Sequence, residues 1–196
     1  THDQSSAASD VYKRQPVLAV RNDSGEFKAY ANVCSHRGVT VESGERGEKT
    51  KFSCPFHGWT FDNEGKLVGY PKKEQFGDID KDCYGLKELP AIEKFGFLWV
   101  HPCTDGVINL DDLLGEKLLT EFDSWDFQSL VFANEEKYET EMNWKLAIDT
   151  FGETYHFSVL HKDSLFESFH GNCQLFDSFK RNGLFGNPSP RARRSN

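Results

Sequence analysis

The chain has 196 residues, a length that allows one large domain or two domains of modest size. Its formal net charge is −8, and no basic stripe runs between its aromatic residues, which argues against a nucleic-acid partner. No apolar run approaches the length of a membrane span, and no signal-peptide pattern is evident. We therefore expect a cytoplasmic protein that does not bind a membrane.

Both ends of the chain differ in character from its body. Residues 1–15 form a small, polar run without periodicity, which predicts a disordered tail. This run resembles translated adapter sequence, and residues 187–196 look similarly foreign. We expect the natural protein to continue beyond both segments.

The body begins with signals for antiparallel strands. Residues 16–21 and 27–32 are short β-type runs on either side of a turn rich in Asn, Asp and Gly, so they predict a hairpin. Residues 60–61 and 66–68 flank a similar turn and predict a second hairpin. Residues 96–101 predict an apolar strand that closes this β module.

Between the two hairpins lie two short pairs of metal-ligating residue types, Cys34-x-His36 and Cys54-x-x-His57. Each pair is tight enough to sit on one loop tip. Two loops that each offer a thiolate and an imidazole can hold a [2Fe-2S] cluster, with the cysteines on one iron and the histidines on the other. A Cys2His2 zinc site and four uninvolved residues remain alternatives, although zinc fingers pair Cys with Cys and His with His.

A different pattern begins after the β module. Residues 109–130 predict a linker that contains a short amphipathic helix. Residues 131–142 alternate between apolar and charged side chains, which predicts a strand with one wet face and the start of a new domain. The remaining cysteines have no paired spacing and are interpreted as reduced thiols: Cys83, Cys103 and Cys173.

Residues 143–161 predict a buried helix capped by Asn143. Its apolar seam recurs at helical spacing: Trp144, Ile148, Phe151 and Tyr155. Asp149, Glu153 and His156 lie on another stripe, where either a solvated face or a functional set is possible. His156 and His161 are rotated by about 140° on a regular helix, so they can share a metal only if the helix ends or bends.

Two sets of residues resemble one known family. Cys-x-His-Arg-Gly at 34–38 and Cys-Pro-x-His-Gly-Trp at 54–59 resemble the Rieske domain of the ring-hydroxylating, or Rieske non-haem iron, oxygenases. Asn-Trp-Lys at 143–145, Glu-x-Tyr-His at 153–156 and the later His161 resemble the start of the catalytic domain in the α subunit of that family.

The resemblance implies roles for residues of the second half. His156 and His161 would belong to a 2-His-1-carboxylate triad that holds mononuclear Fe(II), with the third ligand beyond residue 196. Asp163, Glu167 and Asp177 follow the histidines too soon to match that ligand, although any of them could stand in for it. Glu153 would bridge His156 to the cluster ligand His57 of a neighbouring subunit. Asn143 matches a residue close to the iron, although helix capping explains it equally well.

The resemblance also implies partners. A reductase, directly or through a ferredoxin, would pass electrons from NAD(P)H to the [2Fe-2S] cluster. The iron would then use O2 to hydroxylate, dihydroxylate or demethylate a small organic substrate. The full-length protein would form a homotrimer, with or without a β subunit.

The expected fold class is α+β. An antiparallel β Rieske domain over 16–108 precedes the N-terminal part of a helix-and-sheet catalytic domain over 131–186, which is incomplete in this chain. A Rieske ferredoxin-type electron carrier and a non-catalytic domain are the competing interpretations.

Overall fold

The structure is a computed structural model that describes residues 5–9, 16–169 and 173–188. It divides the chain into unit 1, residues 1–108 with 126–129, and unit 2, residues 109–125 with 130–196. No helix within the described ranges has the length and apolar character needed to cross a membrane.

Unit 1 is built from antiparallel strands. Its strands are β1 (Ser5–Ser9), β2 (Pro16–Arg21), β3 (Phe27–Ala31), β4 (Arg46–Gly47), β5 (Lys51–Ser53), β6 (Thr60–Asp62), β7 (Leu67–Gly69), β8 (Glu88–Leu89), β9 (Ala91–Lys94) and β10 (Phe97–Val100). They form a five-stranded sheet in the order β4-β1-β2-β3-β8, a three-stranded sheet β5-β6-β7, and the pair β9-β10. Short 3-10 helices cover Lys73–Gln75, Lys81–Tyr84 and Phe127–Ser129.

The strands predicted in the body of unit 1 are confirmed. Strands β2 and β3 pair from Val17 opposite Ala31 to Arg21 opposite Phe27. Strands β6 and β7 form the second hairpin, with a shift of register between Thr60 and Phe61. The apolar run at 96–101 contains β10, which pairs with β9.

The segment 1–15, predicted to be a disordered tail, contributes a strand over Ser5–Ser9. This strand pairs with β2 along its whole length and with β4 at one end. Pairing of this kind uses backbone groups, so a run of small residues without side-chain periodicity can still form a strand of a sheet. The rest of that segment, and residues 189–196 of the other predicted tail, lie outside the described residues.

Two hydrophobic clusters explain how the sheets pack in unit 1. Because side chains alternate along β2, Leu18 and Val20 face one cluster while Val17 and Ala19 pack against the other. The larger cluster joins the five-stranded and three-stranded sheets, and its fully enclosed members include Phe52 and Phe61 of the latter. The core therefore lies between the two sheets that carry the ligand loops.

Unit 2 contains helices and one hairpin. Its elements are α1 (Leu110–Leu114), α2 (Glu116–Ser124), α3 (Trp144–Phe151), β11 (Leu175–Phe179) and β12 (Asn182–Gly186), with 3-10 helices at Tyr155–Ser158 and Phe166–Ser168. The predicted amphipathic helix is confirmed as two helices separated at Gly115. Leu110, Leu114 and Leu118 form its buried stripe.

The hairpin of unit 2 holds the end of α1. The Lys180 ammonium donates to the carbonyl oxygens of Asp111 and Asp112, and the Asn182 side chain donates to the carbonyl of Leu113 at 2.7 Å. These are carbonyls at a helix C-terminus, where a cation and a donor are both favourable. The contacts attach the β11–β12 turn to α1.

Two predictions for unit 2 are wrong. Residues 131–142 form no strand, and their side chains are exposed. An alternating pattern yields a strand only where another strand supplies hydrogen bonds. Helix α3 ends at Phe151, and its predicted seam is exposed, with Trp144 at 69% and Tyr155 at 79%. A helix face is buried only by elements that pack on it, and helical spacing alone does not provide them.

In unit 1, Gly65 sits directly against a core side chain. It adopts φ of +72°, and a Cβ placed there would lie 2.5 Å from Cε1 of Tyr30. The Tyr30 ring is buried, and its hydroxyl donates to the carbonyl of Asn63 at 3.4 Å. Any side chain at position 65 must therefore displace a residue that links β3 to the β6–β7 turn.

We expect Gly65→Ala to lower the free energy of unfolding by more than Gly25→Ala does. Both glycines have positive φ, which costs alanine about 1–2 kcal/mol, but Gly25 has nothing within 4 Å of its Cβ position. The clash with Tyr30 should add about 1–3 kcal/mol. Urea unfolding of both variants measures the difference, and equal losses would contradict this packing.

Candidate metal centres

The first ligand loop is a closed turn that follows β3. The N–H of Gly38 donates to the carbonyl of Cys34 at 2.9 Å, and the N–H of Cys34 donates to the carbonyl of Val39 at 2.8 Å. Gly38 adopts φ of +74°, a conformation that glycine reaches without steric cost. His36 therefore lies at the tip of a turn whose two ends are tied together.

The second loop, between β5 and β6, repeats this backbone pattern. The N–H of Gly58 donates to the carbonyl of Cys54 at 2.9 Å, and the N–H of Cys54 donates to the carbonyl of Trp59 at 2.8 Å. Gly58 has φ of +70°. The two turns thus present a cysteine at the same position, while His57 lies one residue further along its turn than His36 does.

The two cysteines lie together in the core. Cys34 and Cys54 are both buried, and both belong to the larger hydrophobic cluster of unit 1. Burial raises the pKa of the Cys34 thiol, the backbone N–H of His36 lowers it, and a hydrogen bond between the two thiols raises it. An amide N–H directed at sulfur is suited to a thiolate ligand.

The two imidazoles also lie together, and they differ in exposure. The rings of His36 and His57 are 4.7 Å apart, and His57 is exposed. The Nδ1 atom of His36 is buried without a hydrogen-bond partner among the described residues. Burial, and then the charges of His57 and Arg37, lower the pKa of His36, which favours the neutral imidazole that binds metals.

These four side chains fit the predicted cluster. The cysteines form one pair and the histidines form another, which is the division of ligands between the two irons of a Rieske centre. A buried nitrogen without a partner is unfavourable in a purely structural histidine, so Nδ1 of His36 has the character of a ligand atom.

Aromatic side chains surround His36. The indole of Trp59 stacks on it at 4.8 Å with an interplanar angle of 6°, and Phe76 approaches its edge at 6.0 Å. Ser35 Oγ donates to the carbonyl of Tyr84 at 2.6 Å, which ties Tyr84 to the first loop. No pattern in the sequence assigned Phe76 or Tyr84 to the site, because these contacts are distant along the chain.

In unit 2 the structure brings His156 and His161 together. Helix α3 ends before both residues, and the N–H of Gly152 donates to the carbonyl of Ile148 at 2.8 Å. A 3-10 turn follows, and the rings of the two histidines lie 5.3 Å apart. The condition that the helix must end for these residues to converge is therefore met.

Glu153 is the partner of His156. Its Oε1 accepts a hydrogen bond from Nδ1 of His156, and its Oε2 accepts from the backbone N–H of Tyr155. The bond with His156, followed by the backbone donors, lowers the pKa of Glu153 against the opposing effect of burial. An ionised Glu153 that accepts the Nδ1 proton leaves Nε2 of His156 with its lone pair for a metal.

The other predicted residues of unit 2 have simpler surroundings. Asn143 caps α3, since its side-chain oxygen accepts from the N–H of Lys145 at 2.9 Å. Asp149 is exposed, as the interpretation of a solvated face requires.

The carboxylates that follow the histidines are exposed as well: Asp163, Glu167 and Asp177. Within the described ranges, no three His, Cys, Asp or Glu side chains converge on a point suited to one metal ion.

Comparison with protein families gives two matches in chain order. Residues 3–92 match the Rieske [2Fe-2S] domain, and residues 127–196 match the catalytic domain of the ring hydroxylating alpha subunit. The first match begins inside residues 1–15, which were interpreted as a foreign tail. The second match includes residues 187–196, which were interpreted in the same way.

Individual relatives agree with these matches. The chain is 35% identical to toluate 1,2-dioxygenase subunit alpha of Pseudomonas putida, over 76% of the chain and 34% of the relative. It is 31% identical to the glycine betaine monooxygenase oxygenase subunit of Chromohalobacter salexigens, over 76% of the chain and 33% of the relative. The chain thus spans about a third of the length of these curated relatives.

A solved structure supports the same assignment. Naphthalene 1,2-dioxygenase from a Rhodococcus species, bound to indole, superposes with a TM-score of 0.75 and 25% identity. The superposition covers 96% of the chain and 46% of the solved chain. The two domain matches, the relatives and the solved structure all indicate the same family. The chain belongs to the Rieske, ring-hydroxylating oxygenase family, and it comprises a Rieske [2Fe-2S] domain followed by part of an alpha-subunit catalytic domain.

Proposed function

We propose that the protein containing this chain is the oxygenase component of a Rieske non-haem iron system. The observation that carries this proposal is that one chain brings together two sets of candidate metal ligands: the paired Cys and His loops of unit 1 and the His156–His161 pair of unit 2. An electron carrier of the Rieske ferredoxin type needs only the first set.

Cys34 and Cys54 would bind one iron of the cluster as thiolates, and His36 and His57 would bind the other as neutral imidazoles. When bound, the [2Fe-2S] cluster supplies single electrons and the mononuclear Fe(II) supplies the site at which O2 reacts. Burial of the cysteines excludes water from the sulfur side, while the exposed His57 is the ligand that another protein surface can reach.

His156 and His161 would hold Fe(II) through imidazole nitrogens, with a carboxylate as the third ligand. Glu153 orients His156 by accepting its Nδ1 proton. Its carboxylate would also accept a hydrogen bond from His57 of a neighbouring subunit, which places the cluster of one subunit beside the iron of the next. This arrangement requires a ring such as a homotrimer, with or without a β subunit. Asn143 would lie near the iron as well as capping α3.

The reaction would use O2, two electrons and two protons for each substrate molecule. In dihydroxylation both oxygen atoms enter the product, whereas in hydroxylation or demethylation one enters the product and the other leaves as water. NAD(P)H would supply the electrons through a reductase, directly or by way of a ferredoxin. Relatives named for toluate and for glycine betaine show that the family includes both dioxygenases and monooxygenases.

Metal analysis of the full-length protein separates the two functions. The oxygenase should contain about three irons and about two acid-labile sulfides per chain, because it holds a cluster and a mononuclear iron. A protein with two irons and two sulfides, and no O2 consumption, would instead be an electron carrier.

Cys54→Ala should abolish the acid-labile sulfide, because it removes one of the two thiolates that hold an iron of the cluster. Cys83→Ala is the matched control, since Cys83 is an exposed free thiol outside both loops. Sulfide assay and visible absorption measure the effect. A Cys54→Ala protein that keeps its sulfide would exclude this ligand assignment.

His156→Ala should lose about one iron per chain and substrate turnover while it keeps its sulfide, because the two sets of ligands are separate. The retained sulfide serves as the internal control for folding of unit 1. Iron analysis together with product formation checks this outcome. Unchanged iron content and turnover would remove His156 from the site.

Glu153→Gln should keep all irons but slow electron delivery to the mononuclear iron by about 10–100-fold, the size of effect seen for groups that orient metal ligands. The amide replaces one of the two carboxylate oxygens with an NH2 donor and removes the negative charge, so one of the two imidazole N–H groups loses its acceptor oxygen. Asp149→Asn is the matched control, because it makes the same change at an exposed carboxylate of α3. Single-turnover oxidation of the reduced cluster measures the rate, and equal rates in the two variants would contradict the bridge.

A further inference from the structure

Asn32 is a polar side chain enclosed in the core of unit 1, two residues before Cys34. It is 0% exposed, and the other largest fully buried side chains are Phe52, Phe61, Leu18 and Leu89. Burying an amide is unfavourable unless its polar atoms form hydrogen bonds, so the hydrogen bonds of Asn32 indicate its structural role.

The side-chain hydrogen bonds of Asn32 join it to residues 41 and 42, at the far end of the first ligand loop. Its Oδ1 accepts from the N–H of Val41 at 3.1 Å and from the N–H of Glu42 at 3.0 Å. Its Nδ2 donates to the carbonyl of Glu42 at 2.6 Å. Its backbone N–H donates to the carbonyl of Pro16 at 2.8 Å, which fixes Asn32 to the first residue of β2.

The exchange between Asn32 and Glu42 copies one step of a β ladder. In a hydrogen-bonded antiparallel pair, two residues exchange both N–H···O bonds, and here the amide of Asn32 exchanges the same two bonds with the backbone of Glu42. A side chain therefore closes a loop that a strand pair would otherwise close.

The two ligand loops differ in what closes them. The second loop lies between β5 and β6, whose register pairs Phe52 with Phe61 and Ser53 with Thr60. The first loop is entered from β3, but the next strand, β4, pairs with β1 at the other side of the sheet. No strand pairing closes the base of the first loop. The hydrogen bonds between the Asn32 side chain and the backbone of Glu42 close it instead.

We propose that Asn32 is a positioning residue for the iron–sulfur cluster. Its amide holds residues 32 and 42 together and so fixes Cys34 and His36 relative to the second loop. Loss of this closure leaves the inner turn between Cys34 and Val39 intact but lets the whole loop move against Cys54. The inference rests on the proposed function, since it concerns the same cluster.

Asn22 offers a matched control. It is also buried and closes a loop of unit 1 with three side-chain contacts, accepting from Ser24 Oγ and the N–H of Glu26 and donating to the Glu26 carboxylate. That loop joins β2 to β3 and carries no predicted ligand. Asn22→Ala thus removes a similar set of side-chain hydrogen bonds from a loop that lies outside the proposed cluster site.

The test compares Asn32→Ala, Asn22→Ala and the parent chain in the full-length protein. Asn32→Ala should lose its cluster to a chelator about 10-fold faster or more, the size of effect expected when a group that orients ligands is removed. Its reduced-state EPR spectrum should broaden, because the ligand geometry becomes heterogeneous. Asn22→Ala should keep the parent release rate and spectrum even where its melting temperature falls.

Asn32→Ser keeps a small hydroxyl that can accept from one backbone N–H or donate to the Glu42 carbonyl but cannot make all three bonds, so it supplies the answer if Asn32→Ala does not fold. It should show the same two changes at smaller size. A parent spectrum and release rate in either Asn32 variant would overturn the inference. A parent protein without acid-labile sulfide would overturn the proposed function instead, so the two failures are distinguishable.

Discussion

The hydrogen bond from a glycine N–H back to a cysteine carbonyl is the constraint on which both ligand loops depend. Gly38 bonds to Cys34 and Gly58 bonds to Cys54, each at 2.9 Å and each with positive φ. A side chain at either position would cost about 1–2 kcal/mol for the left-handed backbone alone. The bonds turn the chain sharply enough for a cysteine and a histidine to sit on one short loop.

The packing of unit 1 makes the two halves of the proposed cluster site unequal. Cys34 and Cys54 are part of the hydrophobic core, so the sulfur side of the site is closed to water. His36 is covered by Trp59, whereas His57 is exposed beside Phe56, which is 61% exposed. The imidazole side of the proposed site is therefore the side that another protein surface can reach.

The sequence predicted the local features of this fold well, because turn residues and ligand spacing act over short distances. The hairpins around residues 22–25 and 62–65 follow from Asn, Asp and Gly in the turns. The strand predicted at 131–142 failed because pairing depends on a distant partner. Strand β1 was missed for the related reason that backbone pairing needs no side-chain pattern.

Prediction of the site was limited in the same way. The residue types and spacing at 34–36 and 54–57 indicated a cluster, and the helical spacing of His156 and His161 indicated that they could meet only if the helix ended or bent between them. The T-shaped contact of Phe76 with His36 and the closure by Asn32 depend on contacts across the fold, so no spacing rule could show them. The seam of α3 has helical spacing, yet spacing does not determine what covers it.

The rest of the proposed site depends on the division of its ligands, with two cysteines on one iron of the cluster and two histidines on the other. Pulsed EPR of the reduced full-length protein, grown with ¹⁵N-labelled histidine, tests this most directly because unpaired spin on the imidazole-bound iron couples to its ligand nitrogens. Couplings from two histidine nitrogens are expected, and His57→Cys, which offers a thiolate in place of the imidazole, should show one. A paramagnetic cluster without any histidine coupling, or a reduced protein without an EPR signal, would contradict it.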